Sequence, residues 1–127
     1  MRLTKLIYVL AGIIAVSCSY VKKPDLKLSD YEINLGDIAE DTQAYQEAKL
    51  YNKGNDKLVL RTVTTDCSCT KVKIDNMTIL PNDSTTIHIS FDSTGKDGPS
   101  ENFVIIEANT DTIIHYIHVV SNVISKD

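Results

Sequence analysis

Short runs of alternating apolar and polar residues, turn-forming clusters between them at intervals of roughly 8 to 12 residues, and a β-branched C-terminal run predict an all-β fold. The arrangement they suit is a two-sheet sandwich of immunoglobulin type with about seven strands. The chain has 127 residues, and with a typical domain near 150 it has room for one core. Charged residues at 24% and hydrophobic residues at 43% suit a folded domain and argue against disorder or a multi-span membrane protein. The formal charge is −4 and the only paired cations after the first few residues are Lys22-Lys23, so the basic footprint that nucleic acid selects is missing.

Along the chain, residues 1–17 read as a targeting segment. Arg2 and Lys5 form a basic start, and Leu6 to Val16 form an apolar run broken only by Gly12. Crossing a bilayer takes about 20 apolar residues, and Cys18 with the polar residues after it ends this run too early. Residues 18–30, with Lys22, Lys23, Pro24 and Asp25, read as a polar tether, and residues 31–125 as the folded domain. Within 37–52 two signals conflict. Asp37-Ile38-Ala39-Glu40 matches a helix capping box and good helix formers follow it, whereas Ala48 and Leu50 alternate with Glu47, Lys49 and Tyr51. Strand is expected there. Asn52-Lys53-Gly54-Asn55-Asp56 then supplies a polar turn, and the simplest expectation is a hairpin to the strand carrying Leu58, Leu60 and Val63.

Ser84 to Asp92 shows the cleanest period of two, with Ile87, Ile89 and Phe91 facing in and His88 and Ser90 facing out. Ser93 to Pro99 is a connection whose glycines can adopt positive φ. Val104, Ile106 and Ala108 resume the inward set, and Ile113 to Ile124 reads as a long terminal strand.

Ala15-Val16-Ser17-Cys18 resembles a bacterial lipobox, in which the cysteine is acylated on sulfur and becomes the new N-terminus. Ala15 stands where Leu is most common. The alternative is an ordinary secretory signal that leaves Cys18 as an odd thiol. Acylation would anchor the chain durably, since each buried CH₂ contributes about 0.8 kcal/mol. Ser19 after the cysteine resembles a lipoprotein sorted to the outer membrane. The lack of an acidic run behind it speaks against surface export and for a periplasm-facing anchor.

Asn52-Lys53-Gly54, Leu58-Val59-Leu60, Cys67-Ser68-Cys69-Thr70, Phe91-Asp92-Ser93-Thr94-Gly95-Lys96 and Ala108-Asn109-Thr110 occur in this order. In that order and over about residues 31–123 the chain resembles the bacterial domain of unknown function 1573 family, abundant among Bacteroidetes envelope proteins. The resemblance implies an Ig-like sandwich akin to domains of large ciliary and centrosomal proteins, with no established enzymatic activity. The chain departs from the family pattern at Ser68 for Gly, at Pro81-Asn82 for Pro-Gly and at Ser93 for Pro. All three replacements suit turns.

Cys67 and Cys69 are the sharpest chemical feature. In an oxidising envelope a nearby pair defaults to a disulfide, and so small a ring would be comparatively reducible. The less favoured reading is redox-active thiols, with Ser68 and Thr70 tuning the sulfurs and Lys71 or Lys73 favouring thiolate. The pair could also be a soft clamp for Cu(I) or half of a zinc site, which needs two further donors. The histidines are His88, His115 and His118. His88 is expected on a solvent face. His115 and His118, three apart on a strand, point to opposite faces and have no acidic neighbour in sequence. Asp83-Ser84-Thr85, Asp92-Ser93-Thr94 and Asp111-Thr112-Ile113 resemble O-glycan acceptor triplets, with Ser84, Ser93 and Thr112 as the acceptors, although simple turn chemistry explains them slightly better.

Nucleophile elbows, Gly-rich phosphate loops and zinc-protease motifs are missing. The sequence therefore points to a non-enzymatic, lipid-anchored envelope protein whose Ig-like domain binds or scaffolds an envelope protein or glycan, without a cofactor or catalytic residues and without nucleic acid. A thiol-redox or Cu/Zn-binding protein working through Cys67-Ser68-Cys69 is the alternative.

Overall fold

The computed structural model describes residues 16–127, so most of the expected targeting segment lies outside the described residues. The described chain is all-β, with nine strands: β1 (Leu26–Leu28), β2 (Glu32–Ala39), β3 (Gln43–Asn52), β4 (Leu58–Thr65), β5 (Thr70–Ile74), β6 (Thr78–Ile79), β7 (Ser84–Asp92), β8 (Gly98–Ala108) and β9 (Ile114–Ile124). They form a four-stranded sheet in the order β1-β3-β7-β5 and a five-stranded sheet in the order β2-β9-β8-β4-β6. The strands beyond the expected seven are the two short ones, β1 and β6, which carry too few residues to show a period.

The alternation read from the sequence is the alternation that buries the core. Ile87, Ile89 and Phe91 of β7 face Val104, Ile106 and Ala108 of β8 and Ile117 and Val119 of β9 across the two sheets, all essentially inaccessible. Most of these side chains belong to one large cluster, while Phe91, Ile38 and Val123 form a smaller one beside it. At about 25 cal/mol per Å² of apolar surface removed from water, this shared face is the main stabilising term.

The capping-box residues of 37–40 lie at the end of β2 and in the turn after it, where Asp41 takes φ 58°. Strand prevails over local helix propensity because Ile38, Ala48 and Leu50 can all face the core only at a period of two. β2 pairs in parallel with β9, and its register shifts between Asn34 and Asp37 around Gly36 at φ 70°.

Two expectations are corrected. The folded unit begins before residue 31, because Leu26 and Leu28, in the stretch expected as a tether, are buried in β1 against β3. The turn after Asn52 does not close a hairpin either, since β3 and β4 belong to opposite sheets and the turn carries the chain between them. Gly54 is not there for a reversal. A Cβ at that position would sit 2.3 Å from the Lys23 carbonyl oxygen and 2.6 Å from the Asp25 nitrogen, so only glycine lets the N-terminal segment pass. Around it, the Asn55 N–H donates to the Lys23 carbonyl and the Lys53 N–H to the Asp25 carbonyl.

Candidate functional site at the cysteine turn

The connection between β4 and β5 carries Asp66, Cys67, Ser68 and Cys69, and backbone bonds hold it at both ends. The Asp66 N–H donates to the Phe103 carbonyl at 3.2 Å, and the Phe103 N–H donates to the Asp66 carboxylate at 2.8 Å. Within the turn, the Thr70 N–H and the Thr65 hydroxyl both donate to the Cys67 carbonyl, at 3.1 and 2.8 Å. The Cys69 carbonyl accepts from the Asp92 N–H at 2.8 Å, which ties the turn to the end of β7.

Cys67 and Cys69 are joined by a disulfide with one residue between them. So small a loop removes little entropy from the unfolded chain, about 1.5 kcal/mol against about 3 for a fifteen-residue loop. The backbone bonds above fix the turn without it. Donor groups stand beside both sulfurs. The Cys69 N–H reaches the Cys67 sulfur at 3.2 Å, and the Cys69 sulfur lies 3.7 Å from the Thr70 hydroxyl and 3.4 Å from Oδ1 of Asn102. Asn102, on β8, is only 4% exposed, and its Nδ2 group has no hydrogen-bond partner. Beside Cys69 a recess of about 180 Å³ is lined by Gln43, Ser68, Lys71, Ser90 and Asp92. The Asp92 carboxyl there is held below the usual carboxylate range, mainly because it accepts the Thr94 hydroxyl and N–H at 2.7 and 3.0 Å, with Lys71 adding attraction.

The histidines lie elsewhere. His88 is on the outer face of the four-stranded sheet, with Nδ1 3.0 Å from Glu47 of β3 and Nε2 2.9 Å from Asp75 just past β5. His118 stacks on Phe103 with centroids 4.8 Å apart, and Glu32 and Glu101 flank it at 3.4 and 3.6 Å. The acidic neighbours of His118, absent from its local sequence, come from the adjacent strands β2 and β8. His115 bonds the Thr110 hydroxyl instead. Among the described residues no three His, Cys, Asp or Glu side chains converge as a metal site. A Cu(I) clamp or zinc half-site at Cys67 and Cys69 would require the reduced pair.

Of the glycan acceptors considered, Thr112 is exposed and Ser84 half-buried. Ser93 is corrected. It is fully buried, its hydroxyl lies 2.8 and 3.0 Å from the Ala39 and Thr42 carbonyls, and it accepts the Thr42 N–H at 2.9 Å, so it has neither access nor a free oxygen. Cys18 is an exposed free thiol.

The family model described as "Protein of unknown function (DUF1573)" matches residues 26–123. The chain belongs to the DUF1573 family. No curated protein matches it. Among solved structures, a protein of unknown function from Porphyromonas gingivalis is similar over 78% of this chain and 46% of its own, at 19% identity with a TM-score of 0.70. The chain thus spans about half the length of that relative. The ASH / PapD-like domain 7 of human CEP192 is similar over 88% of this chain and 97% of its own, at 11% identity and a TM-score of 0.57. The YadV chaperone is similar over 81% and 53%, at 15% identity and a TM-score of 0.53. At these identities the likeness is one of fold, an Ig-like or PapD-like β domain.

The DUF1573 motifs acquire physical roles in this chain. Asn82, in place of the family's Gly, takes φ 64°, a conformation Asn tolerates. Ser93, in place of Pro, ties β2, β3 and β7 together by the bonds above. Asn109 accepts the Val59 N–H at 2.8 Å and donates to the Lys57 carbonyl at 3.1 Å, clamping the start of β4. Asn102 is the residue that sequence reasoning missed. Its only signal was a polar residue at the inward parity of Val104, Ile106 and Ala108.

Proposed function

We propose that this DUF1573 chain is a non-enzymatic binding or scaffolding domain, anchored to the bacterial outer membrane by lipid on Cys18 and facing the periplasm. Its partner is an extended segment of another envelope protein. The observation that carries this reading is the open edge of β5. The other three sheet edges are blunted: β1 and β6 have three and two residues, and β2 is interrupted by its register shift at Gly36. β5 runs five residues without a break and pairs only with β7. The bonds of the Cys69 carbonyl and the Asp75 N–H to β7 set the parity of the ladder. By that parity Lys71 and Lys73 bond inward, and the main-chain groups of Val72 and Ile74 face away from the sheet. An added strand would find its hydrogen bonds there, while Lys71 and Lys73 discourage self-association. The fold likeness to a chaperone and to a PapD-like domain fits a module that works by contact.

Val72→Pro tests this directly. Its lost N–H is one that β7 does not use, so the sandwich keeps its ladder while strand addition is blocked. Photo-crosslinking from position 73 in native envelopes is expected to capture a partner that Val72→Pro abolishes. Crosslinks unchanged by the proline would overturn the edge as the contact surface. For the anchor, labelled fatty acid is expected on the parent and absent from Cys18→Ala, and incorporation that persists in the variant defeats it.

A further inference from the structure

We infer that Cys67 and Cys69 form a reversible thiol–disulfide exchange site, and that Asn102 is its positioning residue. Three features of the turn converge on this. The disulfide contributes little to stability by loop closure, and the turn is held by bonds from the Thr65 hydroxyl and the Thr70 and Asp92 N–H groups that do not involve sulfur. Both halves of the pair would therefore keep their places when the S–S bond opens. Both sulfurs already have donor groups aimed at them, the Cys69 N–H at Cys67 and the Thr70 hydroxyl at Cys69.

Asn102 supplies the third observation. A buried amide donor without a partner is costly and uncommon. In the oxidised pair Asn102 presents Oδ1 to a sulfur that has no proton to give, and its Nδ2 group bonds nothing. Reduction gives one half of the amide a partner in either protonation state: a Cys69 thiol donates to Oδ1, or a Cys69 thiolate accepts from Nδ2 once the amide turns over. The pocket is thus better satisfied around a reduced Cys69 than around an oxidised one.

The co-reactant is a dithiol, of a protein or a small molecule. One of its thiolates attacks the Cys67 sulfur and the Cys67–Cys69 bond breaks. The electron pair leaves on the Cys69 sulfur, where Asn102 and Thr70 stabilise it. The second thiolate of the dithiol then attacks its own sulfur in the mixed disulfide and releases Cys67. Two electrons pass to the pair, the protons of the dithiol end on Cys67 and Cys69, and the dithiol becomes a disulfide. A better-stabilised leaving thiolate departs faster, so Asn102 acts on rate and on equilibrium.

The test uses the full chain with dithiothreitol, trapping by alkylation and peptide mapping that separates Cys18 from the pair. Cys67 and Cys69 are expected to be alkylated with the strand circular dichroism intact, and to re-form the disulfide with oxidised glutathione. Asn102→Leu is expected to slow reduction at least tenfold and to shift the equilibrium toward the disulfide by a similar factor. Asn102→Asp, close to Asn in size, carries the comparison if the leucine variant loses its strand signal, and its carboxylate is expected to slow reduction further. Alkylation that requires urea, or a folded Asn102 variant that reduces as fast as the parent, overturns the proposal. Loss of crosslinking in Val72→Pro leaves this outcome untouched, so the two readings fail separately.

Discussion

Asn52 and Asn102 are both buried amides at the inward parity of a strand, and they sit toward opposite ends of the sandwich. At Asn52 every side-chain group is used. Oδ1 accepts the Gly54 N–H at 3.0 Å and, more weakly, the Asp25 N–H at 3.4 Å, while Nδ2 donates to the Asp56 and Ile79 carbonyls at 2.7 and 2.9 Å. One side chain thereby joins the N-terminal segment, the β3–β4 crossing and β6. At Asn102 half of the amide is idle and the other half faces sulfur. The same residue type thus serves two purposes. A completed network fixes one conformation, whereas an incomplete one leaves a local preference that a chemical change can satisfy.

The largest effect should come from breaking the completed network. Asn52→Leu leaves the Ile79 carbonyl without a partner in the interior, and the Asp56 carbonyl and Gly54 N–H without their partner in part-buried positions beside it. At ~1 to 3 kcal/mol for an orphaned buried group, a total loss of roughly 3 kcal/mol is expected. Urea unfolding monitored by circular dichroism measures it, and a loss below about 1 kcal/mol would show that the network is replaceable.

The opposite expectation holds for Asn102→Leu. It removes an unsatisfied donor and puts apolar volume beside Cys69, which itself packs against the cluster of Phe91, Ile38 and Val123. Stability in the oxidised state is expected to stay within about 1 kcal/mol of the parent, since deleting an idle polar group can be neutral or favourable. A loss comparable to that of Asn52→Leu would mean that the two amides are structurally alike, and the contrast between them would collapse.

Much of this architecture was legible in the sequence, and the reasons are specific. Ser84 to Asp92 turns Thr85, Ile87, Ile89 and Phe91 to the core that the opposite sheet closes, with Thr86 the one outward position also buried, so period identified the strand. Gly95 in the loop after β7 and Gly98 at the first position of β8 sit at φ 70° and 76°, where turn chemistry anticipated positive φ. Sheet membership was not legible, because alternation shows which residues face inward but not which sheet a strand joins. The Asn52 turn therefore looked like a hairpin, although its glycine answers to the passage of residues 23–25. Short strands such as β1 hid in an apparent tether, since Leu26 and Leu28 are too few to make a pattern. At the site, Cys67-Ser68-Cys69 was visible as a motif. Asn102 was not, because its meaning depends on a sulfur 33 positions away in sequence. A polar residue interrupting an otherwise apolar inward set was the available signal at both asparagines.

Acid separates the two ends of the sandwich most gently. The bonds around Asn52 are between amides and main-chain groups and carry no titrating proton. Next to the cysteine turn, Asp92 does, and its carboxyl is held below the ordinary range first by the Thr94 hydroxyl and N–H and then by Lys71. Because the folded pKa is below the unfolded value near 3.9, ionised Asp92 contributes stability above that value, and the contribution is lost as pH falls through the folded pKa. The carboxylate is exposed, so the effect is local and small. Carbon-detected NMR titration should place the Asp92 carboxyl below the ordinary aspartate range, and Thr94→Val should move it back up toward that range. Amides of the cysteine turn are expected to shift with Asp92, through the bond from its N–H to the Cys69 carbonyl, while those around Asn52 stay still. If the amides around Asn52 shift together with those of the cysteine turn as Asp92 titrates, the ends are not independently held and a proton at one reaches the other through β7.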